Sequence, residues 1–212
     1  MIPLPTRGKR PALRRSRWFF LALAIALLGY VAFSLVDAQV FQASENWRLN
    51  RAKNARQLSA VTESKVVLAS LSLRDQSQRT APAIGSVLGR LEIGRIGIAV
   101  MIVEGTNGRT LRRAVGHVPG TALPGERGNI AITGHRDTFF RALRNIREGD
   151  EVALTTLNGA YHYRIDSMKV VGAEDTEVLN HSDESILTLV TCYPFYFVGP
   201  APKRFIVRAH RT

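Results

Sequence analysis

One stretch of the sequence reads Ile186-Leu187-Thr188-Leu189-Val190-Thr191-Cys192, and it ends at the only cysteine among the 212 residues. Its side chains alternate between two faces with the period of two that is typical of a half-buried β-strand. Pro194, Pro200 and Pro202 follow, and because proline cannot donate to a ladder, the strand must end near the cysteine. We therefore predict that Cys192 lies where a rigid strand opens into a loop, a common setting for functional residues.

Similar short runs recur through the C-terminal part of the chain, beginning near Ser86, with turn signals such as Asn107-Gly108 and Asn158-Gly159 between them. The runs are 88–93, 96–103, 129–133, 151–156, 160–165, 169–173, 186–192 and 204–209. About eight short strands at this spacing predict an all-β barrel or sandwich over residues 86–212.

One helix is predicted inside this domain. It begins at Asp137, which can cap a helix N-terminus, and Phe139, Leu143 and Ile146 follow at helical spacing.

The N-terminal part combines a basic cluster with an apolar segment. Six basic residues precede the first acidic residue, Asp37, and residues 18–36 are nineteen positions without a charge. At about 1.5 Å per residue, a helix of that length matches a hydrocarbon core of ~30 Å. Because basic residues favour the cytoplasmic side, we predict a cytoplasmic N-terminus (1–17), a transmembrane helix (18–36) and an extracytoplasmic remainder. A cleaved signal peptide is the alternative, although its apolar region is usually shorter.

Residues 37–85 are predicted to form an extracytoplasmic stalk and linker. Residues 38–73 contain neither glycine nor proline, which suits a helical stalk. Residues 74–85 turn to Gln, Ser, Arg, Thr, Ala and Pro, a composition typical of a linker.

The chain is strongly basic, with a formal net charge of +12 at pH 7. Such a surface favours anionic membranes, acidic wall polymers or nucleic acid. No nucleic-acid-binding module accompanies the charge, so we predict no nucleic-acid partner. With a single cysteine the chain has no intrachain disulfide and no Cys-x-x-Cys metal site, and we predict no metal and no other cofactor.

Cys192 has two interpretations. Free cysteines are often small buried hydrophobic residues. In an extracytoplasmic domain, however, a lone thiol at a strand end is open to oxidation, which favours a role as a nucleophile. An ordinary thiol, with a pKa of about 8.5, then needs a base or a nearby cation to supply thiolate.

The candidate bases are the five histidines, His117, His135, His162, His181 and His210. His135 has the most favourable setting, because a short apolar strand and Gly134 precede it, and His117 remains the alternative. Arg204 begins the last strand and is the candidate cation. If that strand pairs antiparallel with 187–192, Arg204 lies beside Cys192, where its guanidinium can hold a carbonyl oxygen or an oxyanion.

Together these motifs resemble the sortases. The resemblance covers roughly residues 88–209 and rests on Thr188-Leu189-Val190-Thr191-Cys192, on Ala131-Ile132-Thr133-Gly134-His135 and on an arginine twelve residues after the cysteine. Residues 119–126 (Pro-Gly-Thr-Ala-Leu-Pro-Gly-Glu), 135–139 (His-Arg-Asp-Thr-Phe) and 193–196 (Tyr-Pro-Phe-Tyr) are similar to the class D branch in particular.

The resemblance implies an eight-stranded closed β-barrel and a cysteine transpeptidase that acts on a C-terminal sorting signal of the Leu-Pro-x-Thr-Gly kind. It implies that Cys192 is the nucleophile, His135 the acid/base and Arg204 the oxyanion or substrate-orienting residue, and that His117 is a motif neighbour. Thr191, His117 and Tyr193 are then expected to bind substrate. The expected partners are proteins with a sorting signal and an amine acceptor, a wall peptide or a protein.

Two features of related branches are missing from the sequence. No Asp-Pro-aromatic lid precedes the barrel as in pilin-polymerising sortases, and Glu174, Asp175 and Glu177, the densest acidic group, predict a solvated turn instead of a calcium site. Two other functions remain open at this point. One is a secreted cysteine peptidase or amidase that uses the same Cys and His with water, and the other is a non-catalytic β-domain that binds wall polymer.

Overall fold

The computed structural model describes residues 11–63 and 81–212. The elements are α1 (Pro11–Glu63), β1 (Val87–Ile93), β2 (Ile98–Glu104), α2 (Gly108–Arg113), β3 (Val115–His117), β4 (Asn129–Thr133), β5 (Glu151–Thr155), β6 (Ala160–Gly172), β7 (Ile186–Tyr193) and β8 (Lys203–Arg211). Short 3-10 helices lie at Gly94–Ile96, Arg141–Asn145 and Glu177–Leu179.

The eight strands close into one barrel in the order β1-β2-β3-β4-β7-β8-β6-β5. Two of the pairings, β2 with β3 and β4 with β7, are parallel, and the remaining ones are antiparallel. Closure of the barrel leaves no free sheet edge among these eight strands. The predicted all-β, eight-stranded barrel is confirmed.

Two details of the predicted strands are wrong. The runs at 160–165 and 169–173 are one strand, β6. Its pairing with β8 shifts register at a bulge between Ile165 and Ser167 and continues through the polar residues that separate the two runs. The strand β3 was not predicted, since three residues are too few to show a period of two.

The helix predicted from Asp137 is also wrong. Residues 136–140 form turns, and a 3-10 helix follows at Arg141–Asn145. The amide of Phe140 donates to the carbonyl of His135 at 3.1 Å, a wider return than an α-helical turn. Phe140 and Leu143 are nonetheless fully buried, so the apolar spacing reports packing against the barrel and not an α-helix.

Aliphatic side chains from every strand fill the barrel interior. Leu91, Ile102, Ile130 and Leu187 are 0% exposed. Burying one such side chain contributes about 1.5–3 kcal/mol. The strand ends that carry the candidate site are therefore held by a continuous core.

The first helix, α1, is long and apolar enough to cross a membrane, by length and composition, within Trp18–Arg56. Large apolar side chains in the predicted span are mostly exposed: Phe20 is 64%, Leu28 70% and Phe33 71% exposed. Exposed apolar surface of this extent favours a lipid environment. The finding is consistent with the predicted single-pass anchor.

The C-terminal half of α1 packs against the barrel. Leu49 is 6% exposed and lies in a cluster with Met101, Val103 and Ala114. The helix thus continues without a break from the predicted span into the predicted stalk, as far as Glu63. Residues 74–80 of the predicted linker lie outside the described residues.

Candidate active site

Cys192 is the penultimate residue of β7 and is half-buried. Its partner across the antiparallel ladder is Arg204, the second residue of β8. Residues directly opposite one another in such a ladder point to the same face, with Cβ atoms about 4.5–5.5 Å apart. The thiol and the guanidinium therefore project from the same face of the barrel, as predicted from the strand order.

His135 reaches the same place from the neighbouring strand. β4 runs parallel to β7 with Thr133 opposite Val190. The amide of Gly134 donates to the carbonyl of Val190 at 3.1 Å, so the pairing continues past the end of β4. Extended by two residues, this register places half-buried His135 level with Cys192.

The backbone before His135 is fixed by packing and by one buried hydrogen bond. Thr191 is 1% exposed, and its hydroxyl donates to the carbonyl of Gly134 at 2.7 Å. A Cβ at residue 134 would lie 2.8 Å from the Phe140 ring, closer than real Cβ atoms approach, and 3.0 Å from Val115, which is tighter than most such contacts. Glycine is therefore required where the chain turns toward the imidazole.

Arg204 is half-buried, and one of its terminal nitrogens is already occupied. Nη1 donates to the carbonyls of Ala201 at 3.1 Å and Lys203 at 3.0 Å. Within 11–63 and 81–212, its Nε and Nη2 have no protein partner. These two nitrogens form a fork of donors beside Cys192 that can donate hydrogen bonds to an anionic oxygen.

The thiol, the imidazole and the guanidinium thus come from three adjacent strands of one rigid barrel. A cysteine nucleophile needs a partner that can accept and return a proton, and an acyl transfer needs donors for the oxyanion. All three functions are available at this end of the barrel. The arrangement can attack a carbonyl carbon and hold the acyl group as a thioester.

The predicted substrate-binding role of His117 finds no support in its surroundings. The ring is 1% exposed, Nδ1 is 2.7 Å from Glu104 Oε2, and Nε2 is 2.9 Å from the carbonyl of Ala122. Both nitrogens are thus engaged inside the protein, where they tie β2 and β3 to the following loop. In the β3–β4 ladder, His117 lies opposite Ile132, and Ile132 is three residues before His135 in the sequence.

The two other predicted substrate contacts stay predictions. The Thr191 hydroxyl is used within the protein, as described above. The Tyr193 ring packs against Phe195 and Phe205, with ring centroids 6.0 and 6.3 Å away. Tyr193 is half-buried and follows Cys192 directly in β7.

Arg136 was missed by the sequence analysis. It follows His135 directly, and its Nη2 donates to the carbonyls of Phe197 at 2.6 Å and Gly199 at 3.1 Å. The guanidinium also lies over the Phe197 ring, 5.8 Å from its centroid. Arg136 therefore fastens the β7–β8 loop (194–202) to the segment that carries His135. An arginine next to a candidate histidine was the only available signal.

A second arginine touches the same loop. Arg144 lies 5.6 Å from the centroid of the Tyr196 ring.

In the described parts of the chain, no group of three or more His, Cys, Asp or Glu side chains could hold a metal ion. Glu174 lies in a turn after β6, and Asp175 accepts from the amide of Glu177, the first residue of the last 3-10 helix, at 3.2 Å.

The closed barrel, with a cysteine, a histidine and an arginine at one end, indicates a cysteine enzyme of the transpeptidase or peptidase kind. A family model described as Sortase domain matches residues 91–212. Sortase D of Bacillus subtilis (strain 168) is 35% identical over 201 residues, which cover 92% of this chain and 96% of that protein. The chain belongs to the sortase family.

Solved structures agree. A sortase D5 transpeptidase of Clostridium perfringens is similar with a TM-score of 0.57 and 35% identity, covering 61% of this chain and 81% of that one. Sortase C of Clostridium perfringens, solved with the C-terminal cell wall sorting motif, gives a TM-score of 0.57 and 32% identity, covering 64% and 78%. The predicted resemblance to sortases is confirmed.

Proposed function

We propose that this sortase is a membrane-anchored transpeptidase that joins surface proteins to an amine acceptor. It cleaves a Leu-Pro-x-Thr-Gly-like C-terminal signal between Thr and Gly. The observation that carries the proposal is the position of Cys192, directly opposite Arg204 and, by strand register, level with His135. The similarity to a sortase C solved with a cell wall sorting motif supports the class of substrate.

In the first half of the reaction, the Cys192 thiolate attacks the carbonyl carbon of the signal's threonine. The negative charge that develops on the carbonyl oxygen is held by the free Nε and Nη2 donors of Arg204. The carbon–nitrogen bond to glycine then breaks, and His135 gives its proton to the departing amine. Cys192 keeps the protein as a thioester, so one difficult step becomes two easier ones.

In the second half, the amine of the acceptor attacks the same carbonyl carbon. His135, now neutral, takes a proton from that amine, and the thiolate of Cys192 leaves as the new amide bond forms. Transfer outruns hydrolysis only if the acceptor is held in place. Positioned groups reach effective molarities of ~10⁵–10⁸ M, which is ample for an amine to outrun water.

The acceptor wall is proposed to be the β7–β8 loop. This loop follows Cys192 directly and is fastened by Arg136 to the segment that carries His135. Tyr196 and Phe197 are 78% and 44% exposed, so the loop offers apolar surface at the entrance of the site. Exposed aromatic side chains of this kind favour contact with a bound partner.

The N-terminal apolar helix supports the anchoring. Residues 18–36 precede the barrel without a charge, and the basic residues lie before them. By the positive-inside rule, the N-terminus is cytoplasmic and the barrel extracytoplasmic. Protease added to spheroplasts should digest the barrel. Protection of the barrel, or a soluble mature form that begins near Gln39, would contradict a single-pass anchor.

Product partition tests the transpeptidase proposal. A fluorogenic Leu-Pro-x-Thr-Gly peptide is incubated with the full chain and with glycine peptides or diaminopimelate-containing stem peptides, and the products are separated by chromatography. We expect amide product when a suitable amine is added, slow hydrolysis without it, and neither product from Cys192→Ala or His135→Ala. Release of the free acid alone at every amine concentration would favour the peptidase function instead.

A further inference from the structure

We propose that α1 holds the barrel with its active-site end toward the bilayer and that Arg109 and Arg112 of α2 bind anionic phospholipid headgroups there. The proposal rests on the proposed membrane anchor, but it does not depend on the substrate or on the acceptor.

The link between the span and α2 is short and rigid. Asp37 directly follows the proposed span, and its two carboxylate oxygens accept from Arg113 Nε at 2.6 Å and Nη2 at 2.8 Å. One turn further along α1, the Gln42 amide donates to the carbonyl of Arg113 at 2.5 Å and accepts from the amide of Met101 at 2.8 Å. The C-terminal end of α2 is therefore held where the helix leaves the membrane.

From this point α1 runs along the barrel and away from the bilayer. Arg90 donates to Asn46 at 2.9 Å, and Arg56 donates to the carbonyl of Leu157 and to Asn158 Oδ1, both at 3.1 Å. At about 1.5 Å per residue, Arg56 is about 28 Å beyond Asp37 along the helix. The β5–β6 turn is thus the part of the barrel far from the membrane.

The α2 side of the barrel is also the active-site side. β3 begins just after α2 and pairs antiparallel with β4, with Gly116 opposite Thr133. The chain that enters β3 therefore lies beside the chain that leaves β4 toward His135. The β5–β6 turn belongs to the other end, because β6 starts after that turn and finishes with Gly172 opposite Lys203, next to Arg204.

Two cationic side chains of α2 are exposed and have no counter-ion among the described residues. Arg109 and Arg112 are exposed. Among the residues described, neither guanidinium has a carboxylate partner, whereas Arg113 is paired with Asp37. Arginine binds phosphate through two parallel hydrogen bonds, which suits the phosphate of a lipid headgroup.

The position of α2 decides between a lipid surface and a soluble acidic wall polymer as the partner. A polymer could reach any exposed arginine, but only a residue near the exit of the span lies at headgroup height. The Asp37–Arg113 pair places α2 there. The orientation also brings Cys192, at the same end of the barrel, close to the bilayer surface.

The single cysteine allows a direct test of the orientation. The full chain is labelled at Cys192 with a donor fluorophore and placed in nanodiscs that carry an acceptor on the lipid headgroups. The matched control is Cys192→Ala/Asp183→Cys, because Asp183 is exposed and precedes the other end of β7, ~20 Å away along the strand. We expect clearly stronger energy transfer from position 192 than from 183. Equal transfer, or stronger transfer from 183, would overturn the orientation.

The headgroup contact is tested by hydrogen exchange of the α2 amides in nanodiscs. We expect exchange over 107–113 to be several-fold slower with phosphatidylglycerol than with phosphatidylcholine alone. The difference should vanish in Arg109→Gln/Arg112→Gln and persist in Arg127→Gln, an exposed arginine beside Asp183. Equal exchange in both lipids would overturn the contact.

Protection by soluble polyglycerol phosphate but not by phosphatidylglycerol would equally overturn the headgroup contact, because it would assign the two arginines to a wall polymer. Recovery of the chain in the nanodisc fraction reports on the anchor, and peptide cleavage by the unlabelled chain in the same nanodiscs reports on the proposed function. A failure of either proposal is therefore recognised separately.

Discussion

Cys192 and Arg204 are directly paired positions of the β7–β8 ladder. Their proximity depends on the register of two strands and not on the conformation of a loop. A slip of one residue would turn one of the two side chains to the opposite face of the barrel. The buried residues of β7 and β8, such as Leu189 and Val207, prevent that slip, so the barrel core itself positions the candidate site.

Replacing Arg204 by lysine should lower kcat/KM on the order of a hundredfold. Lysine keeps the charge but lacks the planar fork, and the loss of one oxyanion donor typically costs ~10²–10³ in rate. Steady-state cleavage of a sorting-signal peptide checks this. The melting temperature should stay unchanged, because Arg204 is at the barrel rim. Near-normal turnover would mean that Arg204 contributes only its positive charge and not a specific fork of donors.

Gly134→Ala should reduce kcat strongly, because the added methyl group meets the fully buried Phe140 ring and displaces the chain before His135. The matched control is Gly172→Ala, where an added Cβ meets nothing within 4 Å. Cleavage assays and thermal melts of both variants provide the comparison. Equal activity of the two variants would show that the turn at Gly134 does not position His135.

Arg136→Gln should lower the ratio of amide product to free acid more than it lowers total cleavage. The change removes the charged donor that holds the carbonyls of Phe197 and Gly199, so the proposed acceptor wall loosens. Arg144→Gln is the control, since Arg144 contacts the same loop through the Tyr196 ring and, among the described residues, donates no hydrogen bond to it. Product partition at saturating amine measures the effect. An unchanged ratio in Arg136→Gln would remove the loop from acceptor binding.

Acid stability should depend on Asp150. Its carboxylate is 6% exposed, and hydrogen bonds from Arg95 and from the amide of Arg147 lower the pKa of Asp150 below its ordinary value. A carboxyl whose folded pKa is depressed stabilises the fold above its unfolded pKa of about 3.9, and this stability is lost as the pH falls through the folded value. Asp150→Asn should therefore melt a few degrees below the wild type at pH 7.

The difference in melting temperature between the wild type and Asp150→Asn should shrink as the pH falls below about 4. Asp183→Asn serves as the control. The Asp183 carboxylate is fully exposed, and its contact with His181, at 3.8 Å, is in solvent. A difference that stays constant from pH 7 to the acid limit would mean that the charge of Asp150 is not what stabilises the fold.

The sequence predicts the barrel well because the period of two is strong in long strands and turn residues mark their ends. It fails where a short element has too few residues to show a period, as in β3, and where a bulge hides the continuity of β6. It also fails at Asp137, because the helical spacing of apolar residues there reflects burial of a turn against the barrel.

The site is predictable in part. Cys192 and Arg204 can be selected because each lies at the end of a strand, whereas the choice of His135 over His117 rests on the resemblance to sortases. The contacts between distant segments could not be predicted, since nothing local in the sequence signals that Asp37 pairs with Arg113 or that Arg136 holds the β7–β8 loop. Such contacts depend on the whole topology.

The most direct test of the account is the intact mass of the full chain during turnover of a Leu-Pro-x-Thr-Gly peptide without an amine acceptor. The account predicts that the wild type gains the mass of the peptide up to its threonine, on Cys192, and that an added amine removes this mass as amide product. Cys192→Ala should gain no mass and cleave nothing. Cleavage by Cys192→Ala, or turnover by the wild type with no acyl adduct under rapid acid quenching, would contradict the thioester mechanism.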